Sequence, residues 1–238
     1  MLKRSQTEGV ATLTLARPER GNALGPDLVE ALLDALQVAC ADATVHTLLL
    51  RSEGRHFCTG LDLSDLDRCS DGDLLQRLVR IETLLAALWH APLRTVALAQ
   101  GRAWGAGADL FAACEHRLAS EGTTFRFPGA QFGIVLGTRR LADRVGADRA
   151  RAMTTGGGEW RAAEAQAAGL VQAVVVDGDA GALGVACAAP MVDAATAQAL
   201  REATRSDHRD ADLAALVRSA STPGLVARVA AYRARLRA

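Results

Sequence analysis

Two short segments carry most of the chemistry this sequence can support. They are His56-Phe57-Cys58-Thr59-Gly60-Leu61-Asp62-Leu63 and Gly101-Arg102-Ala103-Trp104-Gly105-Ala106-Gly107-Ala108-Asp109-Leu110. In each, a strand runs into a turn of small residues and leaves it in a helix or helical turn. Glycine lets the backbone take positive φ and approach a ligand closely. The first amides of a helix lack an internal partner and lie at the positive end of its dipole. Two such turns facing each other would aim two N–H groups at one oxygen, which is an oxyanion hole. Competing chemistry fits less well. Cys58 has only His56 nearby to activate it, so a buried, inert thiol is the better reading. No second pair completes a metal site with His56 and Cys58, and no metal is expected. The glycines after Gly101 run GxxxGxG, not GxGxxG, which argues against a dinucleotide fold.

The flanking elements must hold these turns in place. Val10–Ala16 alternates as a strand does and stops at Arg17-Pro18. Pro26 opens a helix with an apolar face of Leu28, Leu32, Leu33, Leu36 and Ala39. Val45–Leu50 and Thr95–Ala99 read as buried strands, with a long helix capped by Asp73 between them. A short helix is expected at Asp109–Ala113 and a strand at His116–Ala119. Thr123–Gly137 reads as turns, Thr138–Val145 and Ala162–Ala168 as helices, and Leu170–Val176 as a strand. From about Ala180 onward only helices are expected, broken at Pro190 and near Pro223. Strands alternating with helices predict an α/β core.

The chain has 238 residues, half of them apolar and 4% aromatic, which suits one sizeable α/β domain, or a domain with a small appendage. Lys+Arg and Asp+Glu balance at 27 each, so no global field draws nucleic acid or an anionic membrane. The five cysteines are scattered, as expected of a reduced, cytoplasmic protein. Lys3 and Arg4 are followed by polar residues, not the apolar core of a signal peptide. No apolar run approaches the roughly 20 residues that span a bilayer.

Five segments, in order, resemble the enoyl-CoA hydratase/isomerase (crotonase) superfamily. Arg17-Pro18-Glu19-Arg20-Gly21-Asn22-Ala23-Leu24 is similar to its N-terminal signature, and Phe57–Leu63 to its first oxyanion loop. Gly101–Leu110 is similar to its glycine-rich second loop, Ala113–Ser120 to the strand after it, and Ala162–Val175 to its late helix–strand segment. The resemblance implies a crotonase-like spiral β core over residues 1–176. It also implies a helical region over 177–238 that closes the site and helps assemble trimers or hexamers.

The same resemblance assigns roles. The backbone N–H groups of Leu61 and Ala106 would hold a thioester oxygen as it gains enolate character. Asp109 would be the acid/base. Arg20, Ala23, Thr59, Gly60, Asp62, Gly105, Pro128 and Gly129 would line the acyl-CoA site, with Asp62 also capping the turn after Gly60. Arg17, Arg20 and Arg55 suit the phosphates of coenzyme A. Coenzyme A would enter with the substrate, and no resident cofactor is implied. Hydratases of this family pair two glutamates. Here Asp109 stands for the first, and the second position is Gly129. Syn-addition of water needs both a base and an acid, each typically worth 10²–10⁴-fold. The leading expectation is an enoyl-CoA hydratase/isomerase-type enzyme. Double-bond isomerisation, decarboxylation and thioester hydrolysis remain open, as does an acyl-CoA binder with little catalysis. Glu82 and Asp67 are carboxylates that could fold over to replace the missing one.

Overall fold

The computed structural model describes residues 1–176 and 180–235. Strands β1 (Leu2–Thr7) and β2 (Val10–Leu15) form an antiparallel hairpin. Glu8 and Gly9 both take positive φ at its turn, which matches the right-handed twist of the flanking strands. Sequence reading misses β1, because LKRSQT has no alternation and five of its six residues are exposed. It is held by pairing along an edge.

Helix α1 (Pro26–Ala41) starts with proline in its first turn and buries Leu28, Leu32 and Leu36. It leads to β3 (Thr47–Ser52), whose Thr47–Leu50 run is wholly buried, as befits a parallel strand covered on both faces. Helix α2 (Asp71–Trp89) begins earlier than Asp73. Ser70 is its cap, its hydroxyl accepting from the Asp73 N–H at 3.1 Å, and the Asp73 carboxylate in turn accepts from the Ser70 N–H at 2.9 Å. Asp73 is thus one half of a capping box. Strand β4 (Arg94–Ala99) follows, then β5 (Arg102–Trp104), α3 (Ala106–Ala113) and β6 (His116–Ser120). Helix α3 starts at Ala106, three residues before the expected Asp109.

The expected turn region after Thr123 holds β7 (Thr124–Arg126) and a 3₁₀ turn at Pro128–Phe132. Helix α4 (Thr138–Val145) lies where predicted, while α5 (Ala147–Gly156) is an additional helix. Strand β8 (Trp160–Arg161), α6 (Ala162–Ala167) and β9 (Ala173–Val175) complete the α/β part, with β9 shorter than the predicted Leu170–Val176. The main sheet has the order β1-β2-β3-β4-β6-β9, parallel from β2 onward. A second sheet has the order β5-β7-β8. The chain steps from one sheet to the other between β4 and β5, where the second segment begins.

Helices α7 (Ala180–Cys187), α8 (Ala194–Thr204), α9 (Arg209–Ala220) and α10 (Leu225–Arg235) follow, with breaks at Pro190 and Pro223 as expected. The domain boundary expected at 176/177 adjoins residues 177–179, outside the described residues. Leu216, Leu225 and Val229 pack with Leu66, Leu74, Leu78 and Ile134, so α9 and α10 fold back over α2. No helix among the described residues is long and apolar enough to cross a membrane.

Candidate active site

The site rests on a buried clasp at Asn22, which is fully inaccessible. Its amide nitrogen donates to the carbonyls of Glu53 (2.9 Å) and His56 (2.8 Å), and its side-chain oxygen accepts from the Arg17 N–H (2.8 Å). The Thr59 N–H donates to Gly21 O, and the Leu24 N–H to Gly60 O at 2.7 Å. The first segment is therefore stitched to the 17–24 loop on one side. On the other it pairs with β5, where the Cys58 N–H donates to Arg102 O and the Trp104 N–H donates to Cys58 O. The sequence signature quoted above contains Asn22, but only the folded contacts show what it does.

These pairings bring the two turns together. Gly60 has φ +96°, and a Cβ there would lie 2.8 Å from Trp104 O and 3.4 Å from the Ala106 nitrogen. Only glycine allows this approach. In a parallel bridge Leu24 engages Gly60 O and the Asp62 N–H, leaving the Leu61 amide out of the pairing. Ala106 opens α3, whose first amides have no internal acceptor. Neither the Leu61 nor the Ala106 N–H has an acceptor among the described residues. Both residues line one cavity of about 360 Å³.

That cavity is mostly apolar. Leu63 and Leu78 form part of its wall, Phe132 and Ile134 another part, and Val229 and Tyr232 of α10 contribute a third. Asp109, in the first turn of α3, is the one carboxylate that lines it among the described residues. The residue is 6% exposed, and its Oδ1 has no hydrogen-bond partner. Gly137 lies directly against this carboxyl group, so closely that a Cβ on Gly137 would collide with it. Burial pushes the Asp109 carboxyl well above its ordinary value. The nearby Glu82 charge adds to the rise, and Arg140 partly offsets it.

The expected site residues divide into two groups. Thr59, Gly60, Leu61, Gly105, Ala106, Asp109, Pro128 and Gly129 all line the cavity. Arg20, Ala23 and Asp62 do not. Arg20 is exposed beside the clasp, and Ala23 is buried under it. Asp62 accepts from the Ser64 N–H at 2.9 Å and pairs with Arg17 at 3.4 Å, fixing the turn after Gly60. Arg17 is thereby occupied, while Arg20 and Arg55 form no ion pair among the described residues. Cys58 is fully buried, and burial pushes its thiol up to about 12, which leaves no thiolate to attack.

Neither alternative carboxylate replaces the missing one. Glu82 is clamped by both terminal nitrogens of Arg140, at 3.1 and 2.5 Å, and both side chains are buried. Asp67 is exposed and pairs with Arg233 at 2.7 Å. The apolar wall from α10 has a faint signature, since Leu225, Val229 and Tyr232 are spaced to share one helix face. Nothing in the spacing says that this face would meet α2 and the 3₁₀ turn.

The chain as a whole is similar to proteins already known. The enoyl-CoA hydratase/isomerase family model matches residues 5–222. A solved structure from Bordetella parapertussis, described as an enoyl-CoA hydratase/isomerase, superposes with a TM-score of 0.94 at 45% identity, covering 98% of each chain. A Mycobacterium leprae protein that carries an enoyl-CoA hydratase name is 38% identical over 159 residues, covering 64% of this chain and 62% of the relative. A Streptococcus mutans protein named trans-2-decenoyl-[acyl-carrier-protein] isomerase is 34% identical over 173 residues, covering 70% of this chain and 66% of the relative. The chain thus spans about two thirds or less of the length of these two relatives.

Proposed function

The chain belongs to the enoyl-CoA hydratase/isomerase family, and on that footing we propose that it moves a carbon–carbon double bond in an acyl-CoA thioester. The observation that carries this reading is the lone Asp109 carboxyl in an apolar cavity beside two unengaged amides. Hydration needs a second carboxyl to complete syn-addition, and Gly129 supplies none.

In the proposed reaction the Asp109 carboxylate takes a proton from C2 of a 3-enoyl thioester. The electron pair passes into the carbonyl, giving a dienolate whose oxygen rests on the Leu61 and Ala106 N–H groups. The same carboxyl then returns the proton at C4, leaving the conjugated 2-enoyl thioester. One group thus serves as base and then acid, and no water or resident cofactor takes part. Leu63, Leu78 and Phe132 give an apolar acyl chain a dry place to lie. The isomerase name of the Streptococcus mutans relative is in keeping with this reading. Arg20 and Arg55, on adjoining loops, are the proposed contacts for the coenzyme A phosphates.

Assembly and compartment are part of the proposal. Val185 and Met191 are large apolar side chains left exposed at 78% and 104% around α7, which suits a buried position in a homotrimer or hexamer. All five cysteines are free, in keeping with the cytoplasm.

The test is a pair of absorbance assays at the conjugated-thioester band. A 3-enoyl-CoA should gain absorbance, crotonyl-CoA should lose none, and Asp109→Ala should abolish the gain. Robust hydration of crotonyl-CoA would overturn the isomerase reading.

A further inference from the structure

A second cavity, of about 340 Å³, lies away from the acyl site and is lined by Arg144, Arg201, Arg205, Glu115, Asp143 and Ser206, among others. Three of these side chains are guanidiniums, and each is anchored so that one nitrogen is left over. Arg144 donates through Nε to Ala112 O (3.1 Å) and through Nη2 to Cys114 O (2.9 Å). It also stacks on the Trp89 ring at 4.4 Å. Arg201 uses Nε on Glu115 (2.8 Å) and Nη1 on Pro92 O (3.1 Å). Arg205 uses Nη1 on Ala91 O (2.9 Å) and Nη2 on Glu115 (3.1 Å). Arg144 Nη1, Arg201 Nη2 and Arg205 Nε have no acceptor among the described residues. They are also absent from the fully buried unpaired atoms, so they reach open space.

The charge around this space is unbalanced toward positive. Three guanidiniums line it against the carboxylates of Glu115 and Asp143, and Ser206 already donates to Asp143. Behind the wall Arg117, 4% exposed, donates to the carbonyl oxygens of Leu170, Cys114 and Glu115 and forms no ion pair among the described residues. Burial, with a smaller contribution from neighbouring guanidiniums, pulls Arg117 down to about 9 and Arg144 down to about 10. An anion entering the cavity would relieve that repulsion.

We propose that this cavity is an anion-binding site for a phosphate-class oxyanion, held by the free nitrogens of Arg144, Arg201 and Arg205. Guanidiniums fixed in advance by other hydrogen bonds lose little freedom on binding, and charge-assisted bonds to phosphate are the strong kind. The site draws on α4, α8 and the segment before β6, and shares no lining residue with the acyl cavity.

The test is calorimetric titration of the full chain with inorganic phosphate against chloride at matched ionic strength. Saturable heat specific to phosphate is expected. The Arg201→Gln/Arg205→Gln double variant should weaken it at least about tenfold. Thr204→Glu, which leaves every arginine anchor in place and adds a negative charge to the lining, should weaken it similarly. The Arg20→Gln/Arg55→Gln double variant should bind phosphate as the parent does, which separates this site from the proposed coenzyme A contacts. Heat indistinguishable from that of chloride, or binding unchanged in Thr204→Glu, would overturn the proposal. So would binding lost in the Arg20/Arg55 variant.

Discussion

Replacing Asp109 by asparagine keeps the shape of the side chain and removes its proton chemistry, so it tests structure and function together. The carboxyl is buried, one oxygen has no donor, and its titration lies well above the ordinary value of 3.8. At a pH between those two values the folded protein holds a proton that the unfolded chain has released. Stability therefore falls as pH rises through this window. The slope reaches at most about 1.4 kcal/mol per pH unit, since one pKa unit is worth about 1.4 kcal/mol. Asparagine has no such slope. Urea melts of the parent and Asp109→Asn, taken from pH 4.5 upward, should show the variant gaining on the parent as pH rises, by up to that amount per unit. The same substitution should lower kcat for double-bond isomerisation by about 10²–10⁴-fold, the usual worth of a positioned acid/base. A stability difference that stays flat with pH would show that Asp109 is not the perturbed group. Activity within about tenfold of the parent would remove it from the mechanism.

Three further predictions follow from the same geometry. Ala106→Pro deletes one amide hydrogen at the first position of α3, where proline is tolerated, and should lower kcat by about 10²–10³-fold with a near-parental circular dichroism spectrum. Glu82→Gln removes a like charge that raises the Asp109 titration. The acid limb of kcat/KM, which in the proposed reaction reports the Asp109 carboxylate, should therefore move to lower pH. Because Asp212, at 3.4 Å, is then the one carboxylate left to Arg140 among the described residues, that variant should also lose about 3 kcal/mol in a urea melt. Asn22→Ala leaves Glu53 O and the Arg17 N–H without their partner and leaves His56 O with only the Ser52 hydroxyl at 3.2 Å among the described residues. It should cost about 1–3 kcal/mol of stability and lower kcat more than it raises KM, because the first turn loses its fixed position.

The sequence by itself carried the family resemblance and the main α/β alternation. It also located the two small-residue turns and, in Asp109 and Gly129, two of the positions that line the cavity. These are legible because each depends on residue type at a fixed local spacing: glycine where φ is positive, proline at a helix start, apolar residues at helical or strand period. The short strands β5, β7 and β8 were not legible. Two or three residues are too few to show an alternation, and they exist only because the chain crosses between sheets. Nor could sequence decide whether Glu82 would replace the missing carboxylate, because its partner Arg140 is 58 residues away and only folding brings the two together. The cavity wall contributed by Val229 and Tyr232, the clasp at Asn22 and the arginine cavity are likewise products of tertiary structure. Each joins groups far apart in the chain, and what they do depends on distance and burial, which no local pattern encodes.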